Sequence, residues 1–206
     1  MHISEGVLSP AILAGGALIG MSGVYIGLKN MDQDDIPATG ILSAAFFVAS
    51  LVHVPVGPTS VHLVLNGLLG FILGWKAFPA IFTGLVLHAL LFQFGGITTL
   101  GINTLNLAFP AISCYYLFGR CVKKSKSRSL LIIASFASGF CAVLFSGILV
   151  AFSLYLTGEA FLPAAKLAVV VHVPLMFIEG GITAACVMFL KKVKPELLES
   201  NHEHIQ

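Results

Sequence analysis

Charge is what this chain lacks most. Only 10% of its 206 residues are Asp, Glu, Lys or Arg, against about 25% in a typical soluble domain. With 57% hydrophobic residues and a mean hydropathy of +0.98, the composition excludes a soluble globular fold. Other absences narrow the function. The four cysteines (Cys114, Cys121, Cys141, Cys186) show no C-x-x-C spacing, so they read as small buried hydrophobes and not as a disulfide framework or zinc site. No G-x-x-x-x-G-K-[ST] phosphate loop is present, and His202-Glu203-His204 is not an H-E-x-x-H motif, which removes nucleotide-driven and metalloprotease chemistry from this chain. No nucleophile–base or carboxylate pair is legible, so it does not read as an enzyme. The basic residues sit in short loops without interleaved aromatics, which argues against nucleic acid. Lys166 lies too near the outer end of the last segment to serve a retinal-type pigment, which needs a lysine deep in the membrane.

What is present is a series of apolar runs near 7–28, 36–55, 60–75, 77–94, 106–121, 129–156 and 160–190. A membrane helix needs about 20 apolar residues. The third run is short and predicts a broken or half-buried helix, tolerated only where it lines protein or a cavity. Lys29 follows the first run, Lys76 the third, the Arg120–Arg128 cluster the fifth, and Lys191, Lys192 and Lys194 the seventh. Basic loops stay in the cytoplasm. The expectation is an all-α integral membrane protein of seven transmembrane helices, amino terminus outside and carboxyl terminus cytoplasmic. One domain over 1–195 carries it, followed by a mobile cytoplasmic tail over 196–206. The first run has no basic n-region and continues to Lys29, so it reads as retained and not as a cleaved signal.

The chain begins Met1-His2-Ile3-Ser4-Glu5-Gly6. Histidine is too large a second residue for ordinary methionine removal, so a free Met1 amine is expected. That amine, the His2 backbone nitrogen and the His2 Nδ1 can close a five-membered and a six-membered chelate ring on one ion. Three nitrogens near one plane favour Ni(II) or Cu(II). The plain alternative is a frayed terminal residue. The chelate needs a partner, and His53, His62, His88 and His172 all fall toward the outer side of the expected topology. Intramembrane polar side chains usually face protein or a cavity, so an outward polar pocket for a soft cation is one reading and satisfied core histidines are the other. In Val56–Gly67 the Gly57-Pro58 pair breaks the chain. Thr59 or Ser60 is then expected to cap a new helix, with His62 in its first turn and Asn66 one turn on along the same face. Glu5 is expected to orient a ligating imidazole by accepting from it or from Ser4. Glu179 is the one clear acid in a membrane segment.

Four blocks carry a family resemblance: MHISEG, VGPTSVHLVLNGLLG (56–70), FQFGGITTLGINTLN (92–106) and HVPLMFIEGGIT (172–183). Together they resemble the CbiM/NikM family, the substrate-specificity components of energy-coupling-factor cobalt and nickel transporters, over nearly the whole chain. The resemblance implies a terminus tucked into the core. It also implies an ion held by the Met1 amine, the His2 amide and imidazole, and a further histidine matching His62. A loop matching Gly95–Asn106 would cover the site, with His53, His88 and Asn103 around it. The small residues Ser9, Ala11, Gly15, Gly16, Gly20 and Gly23 of segment one would meet a partner helix, or else pack within the subunit. The implied partners are a membrane coupling (T) subunit, two separate ATPases and a small CbiN/NikN-type accessory membrane protein, in a prokaryotic cytoplasmic membrane. The implied cargo is Ni(II) or Co(II), with no organic cofactor. Four in-plane nitrogens favour low-spin nickel over cobalt, and exclusion of copper must come from availability or pocket size. The alternative is a stand-alone proton-coupled carrier using Glu179 and the histidines.

The orientation is directly testable. A fluorescent-protein fusion after Pro195 should glow and an alkaline phosphatase fusion there should be inactive; the reverse pattern would overturn the seven-crossing assignment.

Overall fold

The computed structural model describes residues 2–56, 59–124 and 127–199. Its helices are α1 (Pro10–Lys29), α2 (Ile36–Ala49), α3 (Asn66–Leu73), α4 (Ala77–Phe92), α5 (Leu100–Lys124), α6 (Arg128–Thr157), α7 (Leu162–Val193) and a short α8 (Glu196–Glu199). Two strands, β1 (His53–Val56) and β2 (Thr59–His62), lie between α2 and α3. Four stretches among the described residues are long and apolar enough to cross a membrane: Pro10–Lys29, Asn66–Phe92, Arg128–Thr157 and Glu159–Val193. The second joins α3 to α4 through the turn Gly74–Lys76. Every residue of α3 is buried, as a short helix must be if its ends are to stay out of lipid.

The outward faces are apolar. Leu18 and Tyr25 of α1, Phe152 and Tyr155 of α6, and Val170 and Phe177 of α7 are all exposed. Buried positions on α6 and α7 instead include Ser135, Ser138, Ser146 and Thr183, the pattern of helices that pack through small and polar groups in a bilayer. The basic clusters gather at one end. Lys76 pairs with Asp35, Lys191 donates to the Val122 carbonyl, and Asp34 and Lys194 border the same apolar groove. These contacts bring together loops that the charge pattern assigns to one side of the membrane.

Three expectations need correction. Residues 50–56 and 59–62 are not helical ends: α2 stops at Ala49, and 53–56 pair antiparallel with 59–62, His53 opposite His62 and Pro55 opposite Ser60. Val52, Val54 and Val56 favour strand, and Pro55 bars a helix interior there. No helix therefore begins beside Thr59 and Ser60. The α3 helix starts at Asn66, after Leu65 in a left-handed conformation (φ 55°), so His62 and Asn66 share no helix face. Second, α5 begins at Leu100, well before the expected 106, and the covering loop shrinks to 93–99. Gly101 suggests a loop, but its use is close packing, since a methyl there would strike the Ala17 backbone. Third, the tail is ordered at its start: Glu196–Glu199 is helical and Leu198 joins the core. Residues 200–206 lie outside the described residues.

The small residues of α1 divide. Gly16, Gly20 and Gly23 are buried against Ile102, the Gly101 carbonyl and Phe78 respectively. Gly16 and Gly20 are thus committed to helices of the same chain, whereas Ala11 and Gly15 are exposed and a methyl on Gly15 would meet nothing. Gly20→Leu should cost about 1–3 kcal/mol through overpacking and lower the melting temperature in detergent; Gly15→Leu should leave it near the parent value.

Candidate functional site

His2 and Ile3 are drawn into the protein interior. His2 is 3% exposed and Ile3 0%. Entry of a non-helical segment into a helical bundle leaves its backbone groups without helix partners, and a buried unpaired amide or carbonyl costs about 1–3 kcal/mol. Asn103 on α5 supplies both partners. Its Oδ1 accepts from the Ile3 N–H at 2.9 Å and its Nδ2 donates to the Ile3 carbonyl at 3.1 Å. Only a carboxamide offers donor and acceptor in that arrangement. Thr99 Oγ1, 3.1 Å from the same Nδ2, holds the amide in place.

The 93–99 segment meets this terminal segment at Glu5. The Glu5 N–H donates to the Gly95 carbonyl at 3.0 Å, and the Thr98 N–H donates to the Glu5 carboxylate at 3.0 Å. Gln93, Gly95 and Gly96 have positive φ; Gly96 is also the spot where the Glu5 side chain lies against the backbone, leaving no room for a Cβ. Glu5 therefore grips the loop and orients no histidine, contrary to its expected role.

The imidazoles meet beneath. The His2 ring stacks on His62 with centroids 4.5 Å apart and planes at 27°. It meets His88 edge-on at 5.1 Å. The His2 N–H lies 3.5 Å from Ser60 Oγ. His62 is buried, and its Nδ1 lies 2.7 Å from the Leu63 carbonyl. A carbonyl only accepts, so the proton sits on Nδ1 and the lone pair on Nε2. That Nε2 has no hydrogen-bond partner among the described residues. His88 Nε2 is 3.0 Å from the Phe47 carbonyl. His53 borders the cluster, half-buried, with its ring 3.9 Å from Phe94 and its Nδ1 3.2 Å from the Leu51 carbonyl. Phe94 also faces His88 at 6.0 Å. The two buried rings meet with imidazole nitrogens that no other described group takes up, His2 Nε2 and His62 Nε2.

Two expected members lie elsewhere. Asn66 Nδ2 donates to Ser146 Oγ at 2.9 Å and lies 3.3 and 3.4 Å from the Leu107 and Ala142 carbonyls; it braces α3 against α5 and α6. His172 is buried on α7 beside Gly147, with its Nδ1 on the Ala168 carbonyl one turn back. Met1 lies outside the described residues. Among those described, no three His, Cys, Asp or Glu side chains are arranged to hold a metal by themselves. Ser60, Phe94 and Thr99 were not foreseen. Their positions inside two of the family-like blocks were the available signal.

The sequence profile of the CbiM family, described as the cobalt uptake substrate-specific transmembrane region, matches residues 2–197. The chain belongs to the CbiM family. A putative metal transport protein of Haemophilus influenzae is 37% identical over 96% of this chain and 97% of its own length. The cobalt transport protein CbiM of Sorangium cellulosum is 28% identical over 97% of this chain and 95% of its own. A crystal structure of a transition metal transporter superposes with a TM-score of 0.76 at 28% identity, covering 98% of both chains. With its long apolar helices, this CbiM-family chain is a multi-pass membrane protein.

Asn103→Ala should leave the Ile3 amide and carbonyl unpaired at about 1–3 kcal/mol. Hydrogen exchange of residues 2–5 should accelerate, while exchange in the middle of α6 should not change. Unchanged protection of residues 2–5 would show that the clamp is dispensable.

Proposed function

We propose that this protein is the substrate-binding membrane subunit of an ATP-driven importer for a divalent transition metal, nickel favoured over cobalt. The observation that carries the reading is the buried His2 ring stacked on His62, reached by a chain terminus that Asn103 draws inward. The ion is held by the Met1 amine, the His2 backbone nitrogen, His2 Nδ1 and His62 Nε2. Three of these come from the first two residues and close the chelate rings, and His62 supplies the fourth in-plane nitrogen. Neutral imidazoles in a dry pocket give up no proton on binding, whereas the amine and amide must, so affinity falls in acid. His88, His53 and Asn103 surround the donors and fix their orientation.

Relatives carry both metals in their names: a cobalt transport protein in Sorangium cellulosum and a fused nickel transport protein NikMN in Rhodobacter capsulatus, 33% identical over 67% of this chain. Four in-plane nitrogens suit low-spin Ni(II) better than Co(II), which is the ground for preferring nickel. Fusions named NikMN, LarMN and CbiMQ support a small N-type accessory protein and a Q-type coupling subunit as partners. ATP hydrolysis falls to separate ATPases, since this chain carries no phosphate loop. Seven crossings, with the His2 pocket facing outward and the basic end in the cytoplasm of a prokaryote, complete the arrangement. The proton-coupled alternative needs a free acid in the membrane; the Glu179 carboxylate instead accepts from backbone N–H groups, which favours the binding-subunit reading.

Calorimetry on protein with a native amino terminus should show tight Ni(II) binding. One residue added before Met1 should abolish it, because the new peptide bond consumes the amine. His62→Ala should weaken it beyond the roughly 10–100-fold typical of losing an outer partner. Undiminished binding by either variant would remove the proposed donor set.

A further inference from the structure

Glu179 is the only carboxylate among the described residues wholly removed from solvent (0% exposed). It sits on α7, remote in sequence from the segment it touches. Its Oε1 accepts from the Val64 N–H, and the Leu65 N–H lies 3.0 Å from Oε1 and 3.1 Å from Oε2. These amides lie in the short connection from His62 to α3, which turns through the left-handed Leu65. Such a backbone conformation at leucine persists only where its surroundings hold it.

The Val64 N–H and the Leu63 carbonyl are the two ends of one planar peptide unit. Glu179 grips the N–H end. The His62 Nδ1–H donates to the carbonyl end at 2.7 Å. A carboxylate, a peptide group and an imidazole thus form one hydrogen-bonded chain, in which each bond polarises the next. In metalloproteins a carboxylate or carbonyl behind a ligating histidine fixes its tautomer and ring orientation.

We infer that Glu179 is the positioning residue for His62: acting through the Leu63–Val64 peptide, it locks the proton on Nδ1 and leaves the Nε2 lone pair free beside the stacked His2 ring. It touches no metal and moves no proton. The inference deepens the metal-binding reading and rests on it for its consequence, but its first observable does not require metal. It also makes α7 an element whose displacement would tilt the fourth donor.

The test compares Glu179→Ala, Glu179→Gln and a control, Ser43→Ala, which removes a buried hydrogen bond from α2 to the Ala80 carbonyl far from the peptide chain described. In metal-free protein, nitrogen NMR of the parent should show His62 as the Nδ1–H tautomer alone. Glu179→Ala should give a mixture and bind Ni(II) about 10–100-fold more weakly, with the visible band of the bound planar ion shifted toward that of His62→Ala. Glu179→Gln keeps one accepting oxygen, so it should fold and fall between alanine and parent in both readouts. Ser43→Ala should lose melting temperature and keep parent tautomer, affinity and band. A folded Glu179→Ala or Glu179→Gln with parent tautomer and affinity overturns the inference. Failure of the parent itself to bind Ni(II) overturns the metal reading, while the tautomer comparison still decides the role of Glu179.

Discussion

A non-helical segment inside a helical membrane bundle is an electrostatic problem before it is a binding site. Each peptide group brought in must find a partner in surroundings that offer no water. Asn103 solves it at the one position where burial is complete, by answering the Ile3 amide and carbonyl with a single side chain. The His2 ring inherits its place from that pair of bonds. Everything after it is held from the other side, where Glu5 and the 93–99 segment exchange backbone and side-chain bonds. The pocket is built from a terminus, a hairpin, a loop and two helix faces, and it is positioned by hydrogen bonds more than by apolar packing.

The same economy shapes the scaffold. The outer faces carry large apolar side chains, where burial in lipid costs nothing, and the inner contacts rely on glycine, serine and threonine. Gly16, Gly20 and Gly101 let α1 lie close on α5, and α5 is the helix that presents Asn103. Tight contact between these two helices therefore sets how far the terminal segment can reach before it meets its partner. Residues with no chemistry of their own fix the depth of the histidine cluster.

Much of this was legible in the sequence. Each of the seven apolar runs corresponds to a helix, because length and hydropathy respond directly to the bilayer. Less legible was the region 50–62, where an expected helix boundary is a strand pair. The Gly57-Pro58 break is plain in the sequence, but the β-branched residues around Pro55 satisfy a membrane-helix hydropathy pattern as well as a strand pattern. That ambiguity places His62 and Asn66 on one face, when Leu65 turns the chain between them. Glu5 and Asn66 illustrate a second limit: a polar residue near a site in sequence need not face it, and both serve as braces. Phe94 and Thr99 carry no chemical signature, so only the folded loop brings them to the cluster.

The antiparallel register that sets His53 opposite His62 has an evolutionary corollary. Side chains along a strand alternate faces, so Ser60 and His62 look one way and Val61 the other. One residue gained between Ser60 and Val61 would set the Val61 isopropyl group where the imidazole stands, and one lost between Ser60 and His62 would set the Leu63 isobutyl group there. Odd-numbered insertions and deletions inside the second strand should therefore be selected against more strongly than substitutions at Val61.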